Sequence, residues 1–200
     1  EKTQNLRLLF SEFALFKHRL LIEIRWLAYL QPQLSQTAKA YLERLITEFS
    51  EKDALAIKKI ENEIKHDVKA VEYYILEKLN SLPELVAVQS WVHFACTSED
   101  INNLAYALML KQAKNQFLEI SLQEIINFLR KFSLAYAAQP LLARTHGQPA
   151  TPTTLGKEFA NVVYRLAKQL KRLQQVEFSG KINGAVGNFN AQALAFPEKD

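Results

Sequence analysis

The sequence predicts an all-α fold, and three observations carry that expectation. Its 200 residues include only 5 Gly and 6 Pro. Every glycine lies at position 147, 156, 180, 184 or 187, so Glu1 to His146 runs without one. That pattern suits long helices and disfavours a turn-rich β protein. Apolar residues then recur at helical spacing through most of the chain, and residues that favour helix starts precede several of the stripes.

In chain order, Phe13, Phe16, Leu20, Ile24 and Leu27 form one stripe in a helix expected from Leu8 to Leu30, with Pro32 beyond its end. A second helix is expected from about Thr37 to Phe49 and a third from Lys52 to Leu79, although the charged middle of the third weakens its periodicity. Ser81-Leu82-Pro83-Glu84 reads as a helix start, with Ser81 as cap, proline in the first turn and Glu84 reaching back, for a helix running to about Phe94. Thr97-Ser98-Glu99-Asp100 is the next start, offering hydroxyls to cap and acids to meet the positive helix end. Leu104, Leu108, Phe117, Leu122, Ile126 and Leu129 sustain helix to about Ala137, with a break expected near Ser121. Pro140 to Pro152 reads as a loop, Thr154 to Val176 as helix, and Ser179 to Asn190 as a loop rich in Gly and Asn. The domain boundary is expected near Ser98. It separates an N-terminal helical domain, residues 1–97, from the start of a long-helix portion, residues 98–200.

Composition narrows the function. Apolar residues make up 48% and charged residues 23%, which is a globular balance. A net charge of +4, with both signs interleaved, lacks the dense basic stripe of a nucleic-acid groove but suits an anionic small molecule. The single cysteine, Cys96, excludes an internal disulfide and fits a cytosolic setting. It lies in the apolar run Val92 to Cys96 and reads as a small buried hydrophobe rather than a catalytic thiol. No run approaches the ~18 apolar residues of a membrane span and no signal peptide opens the chain, so a soluble cytoplasmic protein is expected. His18, His66, His93 and His146 lack zinc-ligand spacing, and the Gly180 to Asn188 segment has neither a P-loop nor a dinucleotide fingerprint; no metal or cofactor is expected.

Four constellations stand out. Arg144-Thr145-His146-Gly147-Gln148-Pro149-Ala150 sets an imidazole beside a hydroxyl, a permissive glycine and an amide, which suits acid/base chemistry; the plainer alternative is a solvated loop histidine. Lys65-His66-Asp67 would meet an anion and orient an imidazole, or else form an exposed helical charge cluster. Thr97 to Asn103 is an anion site at a helix N-terminus or ordinary capping. Gly180 to Asn188 permits tight turns and close backbone approach. His93, on an apolar face, reads as structural.

Taken together and in order, these segments resemble a known family. Thr97 to Asn103, followed some forty residues later by Arg144 to Pro152, is similar to the first two shared regions of the fumarase/aspartase superfamily. Lys65 to Glu72 and Gly180 to Asn190 narrow the resemblance to the adenylosuccinate lyase family in its bacterial long form, across essentially the whole chain.

The resemblance implies an all-α fold with a central bundle of long helices and a homotetramer whose subunits share active sites. It also implies β-elimination of fumarate from adenylosuccinate and from the succinylated aminoimidazole carboxamide ribotide, with no cofactor. By position it makes His146 the general acid and His66 a supporting active-site histidine flanked by Lys65 and Asp67 in the binding segment; Thr97 and Ser98 become the pair that holds the succinyl carboxylate. The family's base, a serine on a Gly-Ser-Ser-x-Met-Pro-x-Lys-x-Asn loop, has no match here, nor does its phosphate-gripping Asp-Gly-Arg-Tyr segment. The chain is therefore expected to be the N-terminal portion of a longer enzyme, inactive alone. The alternatives are a sibling lyase acting on argininosuccinate or fumarate's hydrated form, as argininosuccinate lyase and fumarase do, and a helical scaffold without catalysis.

Overall fold

The computed structural model describes residues 3–198, so the outer limits of the expected domains, residues 1 and 200, lie outside the described residues. These residues form two compact units, one running up to Leu110 and resuming at Phe178, the other spanning Lys111–Glu177.

The first unit opens with helices α1 (Gln4–Phe10) and α2 (Glu12–Leu30), followed by α3 (Gln36–Thr47), α4 (Glu51–Ile64) and α5 (Asp67–Leu79). Ser11 splits the first expected helix by taking an extended conformation and accepting the Ala14 N–H at 3.2 Å, which restarts the chain as α2. Ser35 caps α3 in the same way. The core is the expected stripe of α2 (Phe16, Leu20, Ile24, Leu27) packed against Ala38, Leu42 and Ile46 of α3, Ile57 of α4, and Val71, Ile75 and Leu79 of α5. Burying a side chain of this size contributes roughly 1.5–3 kcal/mol.

The third expected helix is two helices. Lys65 adopts a left-handed conformation (φ 58°) that ends α4, and His66 turns extended and starts α5. The helix expected from Ser81 is also shorter than its cap signal suggested. Leu82, not Ser81, occupies the cap position of α6 (Pro83–Val86), while Glu84 turns to another helix, accepting Ser35 N–H at 2.7 Å and Ser35 Oγ–H at 2.5 Å. One 3-10 turn follows at Gln89–Trp91, and His93 and Ala95 both sit at positive φ, which an α-helix cannot continue through. Helix α7 (Ser98–Ala113) then begins where the Thr97-Ser98-Glu99-Asp100 signal put it. After α7 and the second unit, the chain returns as the irregular Phe178 to Phe189 segment and α10 (Asn190–Ala195).

In the second unit a five-residue π-helical segment, Lys114–Leu118, leads into α8 (Glu119–Ala135), so the irregularity expected near Ser121 lies slightly earlier. Pro140 to Pro152 is not a loop. It forms an antiparallel hairpin of β1 (Pro140–Thr145) and β2 (Gln148–Thr154), paired from Pro140 with Thr154 to Thr145 with Gln148 and bulged between Leu142 and Arg144. Pro140, Pro149 and Pro152 are tolerated within these strands because each strand of a two-stranded ribbon is an edge.

Helix α9 (Leu155–Gln174) runs antiparallel to α8: Ser133 Oγ donates to Gly156 O at 2.9 Å at one end, and at the other the buried Lys114 ammonium donates to Gln174 O and Val176 O at 3.2 and 3.1 Å. The last carbonyl of α9, and that of Val176 just beyond its end, thus gain a cation, the favourable match for a helix C-terminus. Leu118, Ile120, Ile125, Phe128, Val162 and Tyr164 nevertheless remain largely exposed on the unit.

Gly156 lets α8 and α9 touch. A Cβ there would stand 2.3 Å from Ser133 O and 2.6 Å from Ala137 Cα and N, all backbone atoms. Gly156→Ala is therefore expected to destabilise the protein by roughly 1–3 kcal/mol through forced helix separation. Equilibrium urea denaturation of parent and variant checks this, and an unchanged midpoint would refute it.

Candidate active site

Two candidate segments of the first unit sit where helices begin. Lys65-His66-Asp67 makes the turn between α4 and α5. His66 is the cap of α5, and its Nδ1 accepts the Lys69 N–H at 3.1 Å. A ring nitrogen that accepts carries no proton, so the neutral His66 ring bears its hydrogen on Nε2. The side chain is exposed, as is Lys65.

Asp67 opens α5, and Arg19 fixes it from beneath. Arg19 Nη2 donates to Asp67 Oδ2 at 2.5 Å, the arginine side chain being 3% exposed and the aspartate 47%. The other oxygen, Oδ1, faces His66 Nδ1 at 3.8 Å. Burial pushes the Asp67 carboxyl up, but the Arg19 guanidinium and the first N–H groups of α5 outweigh it and hold its pKa below the usual carboxylate range. Arg19 also donates from Nε to Asn102 Oδ1 at 2.9 Å, which ties the start of α5 to the first turns of α7.

At the start of α7, Thr97 and Ser98 are half-buried, and among the described residues neither hydroxyl has a hydrogen-bonding partner. The acid of this turn has a different task. Asp100 is fully buried, and its carboxylate accepts the Thr97 N–H (2.9 Å), Asn183 N–H (3.2 Å) and Gly184 N–H (3.1 Å) and pairs with Lys181 Nζ (2.7 Å). Burial raises its pKa, but Lys181 and the Thr97 and Gly184 N–H groups more than reverse this, leaving it lowered.

Asn103 adds a second tie. Its Oδ1 accepts the Lys181 N–H at 2.8 Å and its Nδ2 donates to Lys181 O at 3.0 Å. The Gly-Asn segment is therefore clamped onto the Thr97 to Asn103 motif, so two motifs read separately from the sequence form one structure. Within it, Gly184 and Gly187 sit at φ 83° and 80°, a backbone that side chains rarely adopt.

His146 belongs to the second unit. It occupies the two-residue turn of the hairpin with Gly147, at φ 48° and 77°, the twist that a tight hairpin turn requires. Its ring is exposed, and Arg144 Nη1 reaches Gly147 O at 3.5 Å.

Three remaining histidine and cysteine positions are structural in character, and the first, His18, is buried with Nδ1 2.7 Å from Ala14 O. His93 Nδ1 lies 2.5 Å from Glu23 Oε1 and its Nε2 3.7 Å from Glu72 Oε1. Burial drives the Glu23 carboxyl up; burial alone would lower His93, but the Glu23 contact raises it. Cys96 is half-buried, and burial pushes its thiol up, away from the reactive thiolate.

Sequence reasoning missed Arg19; its partner Asn102 lay within the Thr97 to Asn103 motif but had no role of its own there. The available signal was positional: Arg19 and Glu23, one turn apart, each immediately precede a residue of the buried α2 stripe, and both are buried themselves.

The lowered pKa of Asp100 fixes the sign of a pH effect. Its stabilisation is complete above the ordinary carboxylate value near 4 and is lost as pH falls through and below that range. Asp100→Asn is expected to cost roughly 2–3 kcal/mol near neutral pH, the scale of lost charge-assisted hydrogen bonds. Parent and variant should converge on acidification. Denaturation midpoints across a pH series check this, and a gap that persists or widens towards acid would contradict it.

The chain is 50% identical over its whole length to the adenylosuccinate lyase of Escherichia coli (strain K12), covering 46% of that protein. It is equally 50% identical to the adenylosuccinate lyase of Vibrio cholerae serotype O1, covering 45%. The chain thus spans about half the length of the curated relatives it matches. Among solved structures it is similar to β-carboxy-cis,cis-muconate cycloisomerase from Acinetobacter calcoaceticus sp. ADP1 (TM-score 0.73, 20% identity, 94% of this chain and 44% of that one). It is also similar to fumarate lyase from Mesorhizobium sp. BNC1 (TM-score 0.72, 18% identity, 95% of this chain and 45% of that one). At such identities these two establish the all-α fold alone. The family described as Lyase matches residues 20–198, nearly the whole chain, and the chain belongs to that family.

Proposed function

We propose that this chain is part of an adenylosuccinate lyase: it contributes to β-elimination of fumarate from adenylosuccinate, leaving AMP, and from the succinylated aminoimidazole carboxamide ribotide, in purine nucleotide biosynthesis. The observation that carries the reading is the 50% identity to enzymes of that name along the entire chain. That match spans the whole chain, and so includes both helix-start motifs, the hairpin turn and the clamped Gly-Asn segment.

The elimination makes three chemical demands. A base removes a proton from the carbon beside a succinyl carboxylate, donors hold the charge that spreads into that carboxylate, and an acid protonates the departing nitrogen. In this reading His146 is the acid. Its position on a short, exposed turn lets the imidazole reach a substrate without displacing packed side chains. His66 supports it, with Nδ1 taken by the Lys69 N–H and Nε2–H free to donate to the substrate. Lys65 and Asp67 complete that binding segment. Thr97 and Ser98 hold the succinyl carboxylate; their hydroxyls have no other partner among the described residues, and they open a sixteen-residue helix whose positive end favours an anion. The base is a serine supplied by sequence outside this chain.

The same proposal takes residues 1–97 as an N-terminal helical domain and residues 98–200 as the first part of a central bundle. It takes the assembly as a cytoplasmic homotetramer with active sites shared between subunits. Two facts support it: large apolar side chains such as Phe128 and Tyr164 remain exposed on the α8–α9 pair, and among the described residues no helix is long and apolar enough to cross a membrane.

The test is fumarate release from adenylosuccinate, followed by absorbance, with the natural-length protein and the 200-residue chain assayed in parallel. Release by the longer protein alone is expected. Release by neither would overturn the assignment, and release by the shorter chain would overturn the location of the base. In the active protein, His146→Ala should lower turnover by roughly 10²–10⁴-fold with the fold intact. Turnover near the parent's would remove His146 from the acid's role.

A further inference from the structure

We propose that Arg19 is a positioning residue of the substrate site: one buried guanidinium fork sets the start of α5, with His66 and Asp67, against the start of α7, with Thr97 and Ser98. The inference rests on the site reading given under Proposed function and extends it to a residue that touches none of the reacting atoms.

Three observations carry it. First, Arg19 is 2% exposed in the middle of α2, where its neighbours Phe16, Leu20 and Ile24 form the core. A charge there is costly, and a well-packed apolar side chain would serve core stability as well or better. Second, two of its three nitrogens go to two different segments. Nη2 donates to Asp67 Oδ2 at 2.5 Å and Nε to Asn102 Oδ1 at 2.9 Å, so one rigid planar group fixes the separation between residues 48 and 83 positions away in sequence. Lysine, a single point charge on a flexible stem, cannot reproduce that fork.

Third, the ion pair is lopsided. The guanidinium is buried while the Asp67 side chain is 47% exposed. Arg19 therefore braces a surface carboxylate from below instead of filling the core with a closed pair, and the other Asp67 oxygen stands 3.8 Å from the His66 ring. The α7 end of the fork lands at Asn102, between Asp100 and Asn103, the two residues that clamp the Gly-Asn segment. One guanidinium thus lies behind the candidate donors of both helix starts. Displacing the fork would shift His66 and the Thr97–Ser98 hydroxyls relative to one another, and misplacement of about 1 Å in a catalytic constellation costs on the order of 10²-fold in rate.

The experiment uses the natural-length protein and measures kcat, KM for adenylosuccinate and thermal midpoint for the parent, Arg19→Lys and Asn102→Ala. Assays run well below the midpoints, so that only folded enzyme is compared. Asn102→Ala removes one arm of the fork while leaving the Asp67 pair, and it keeps the test open if Arg19→Lys does not fold. The expected result is a fall in kcat/KM of roughly 10–100-fold in both variants, in excess of any loss of folded protein, with a raised KM contributing. Folded variants with kcat and KM within about twofold of the parent would overturn the proposal and leave Arg19 a stabilising residue only. Failure of the parent itself to release fumarate would instead defeat the functional reading beneath it.

Discussion

The arrangement of the first unit depends on how the buried carboxylate of Asp100 is satisfied. A charge with no exposed surface is tolerated only when donors surround it, because leaving it unpaired costs several kcal/mol. Here one donor comes from its own turn, the Thr97 N–H, and three come from the returning segment, the Asn183 and Gly184 N–H groups and the Lys181 ammonium. Two pieces of chain some eighty residues apart in sequence are thereby fixed to one atom group. Because all four donors are directional, the segment has few other ways to lie.

Helix α2 applies the same logic to a different pair of elements. Its apolar stripe supplies the bulk of the core, and area burial alone would accept several rotations and shifts of the helices. The buried charges Arg19 and Glu23, on the same helix, narrow that choice: Arg19 reaches Asp67 and Asn102, and Glu23 reaches His93 in the turn before α7. Hydrophobic burial holds the unit together, and the polar contacts select which packing it adopts. The candidate residues of this unit, His66, Asp67, Thr97 and Ser98, lie next to those contacts, at helix starts where N–H groups are unpaired by construction.

Much of this was legible in the sequence because it is written locally. The α2 stripe, the helix beginning at Ser98 and the irregular Gly-Asn segment follow from spacing, capping residues and glycine. The break at Lys65–His66 was not legible, because neither residue is a usual terminator and the turn depends on a left-handed lysine and a histidine acting as cap. Ser81 and Glu84 carried the pattern of a local capping pair, yet Glu84 found a better partner in Ser35, a tertiary contact that no window of sequence contains. The hairpin was hidden by its prolines, which signal a loop unless both strands are known to be edges. The motifs themselves were visible. That Thr97 to Asn103 and Lys181 to Gly184 grip each other, and that Arg19 stands behind the first of them, required the fold.

With His146 as the acid proposed above, the hairpin turn sets backbone preference against chemistry at a single position. At φ 48°, position 146 would be filled at lower conformational cost by glycine or asparagine, residues at ease in the left-handed region. Ranked by fold alone, variants at this position would favour losing the imidazole. Stability-guided redesign of this protein would therefore tend to erase His146 unless turnover were screened alongside it.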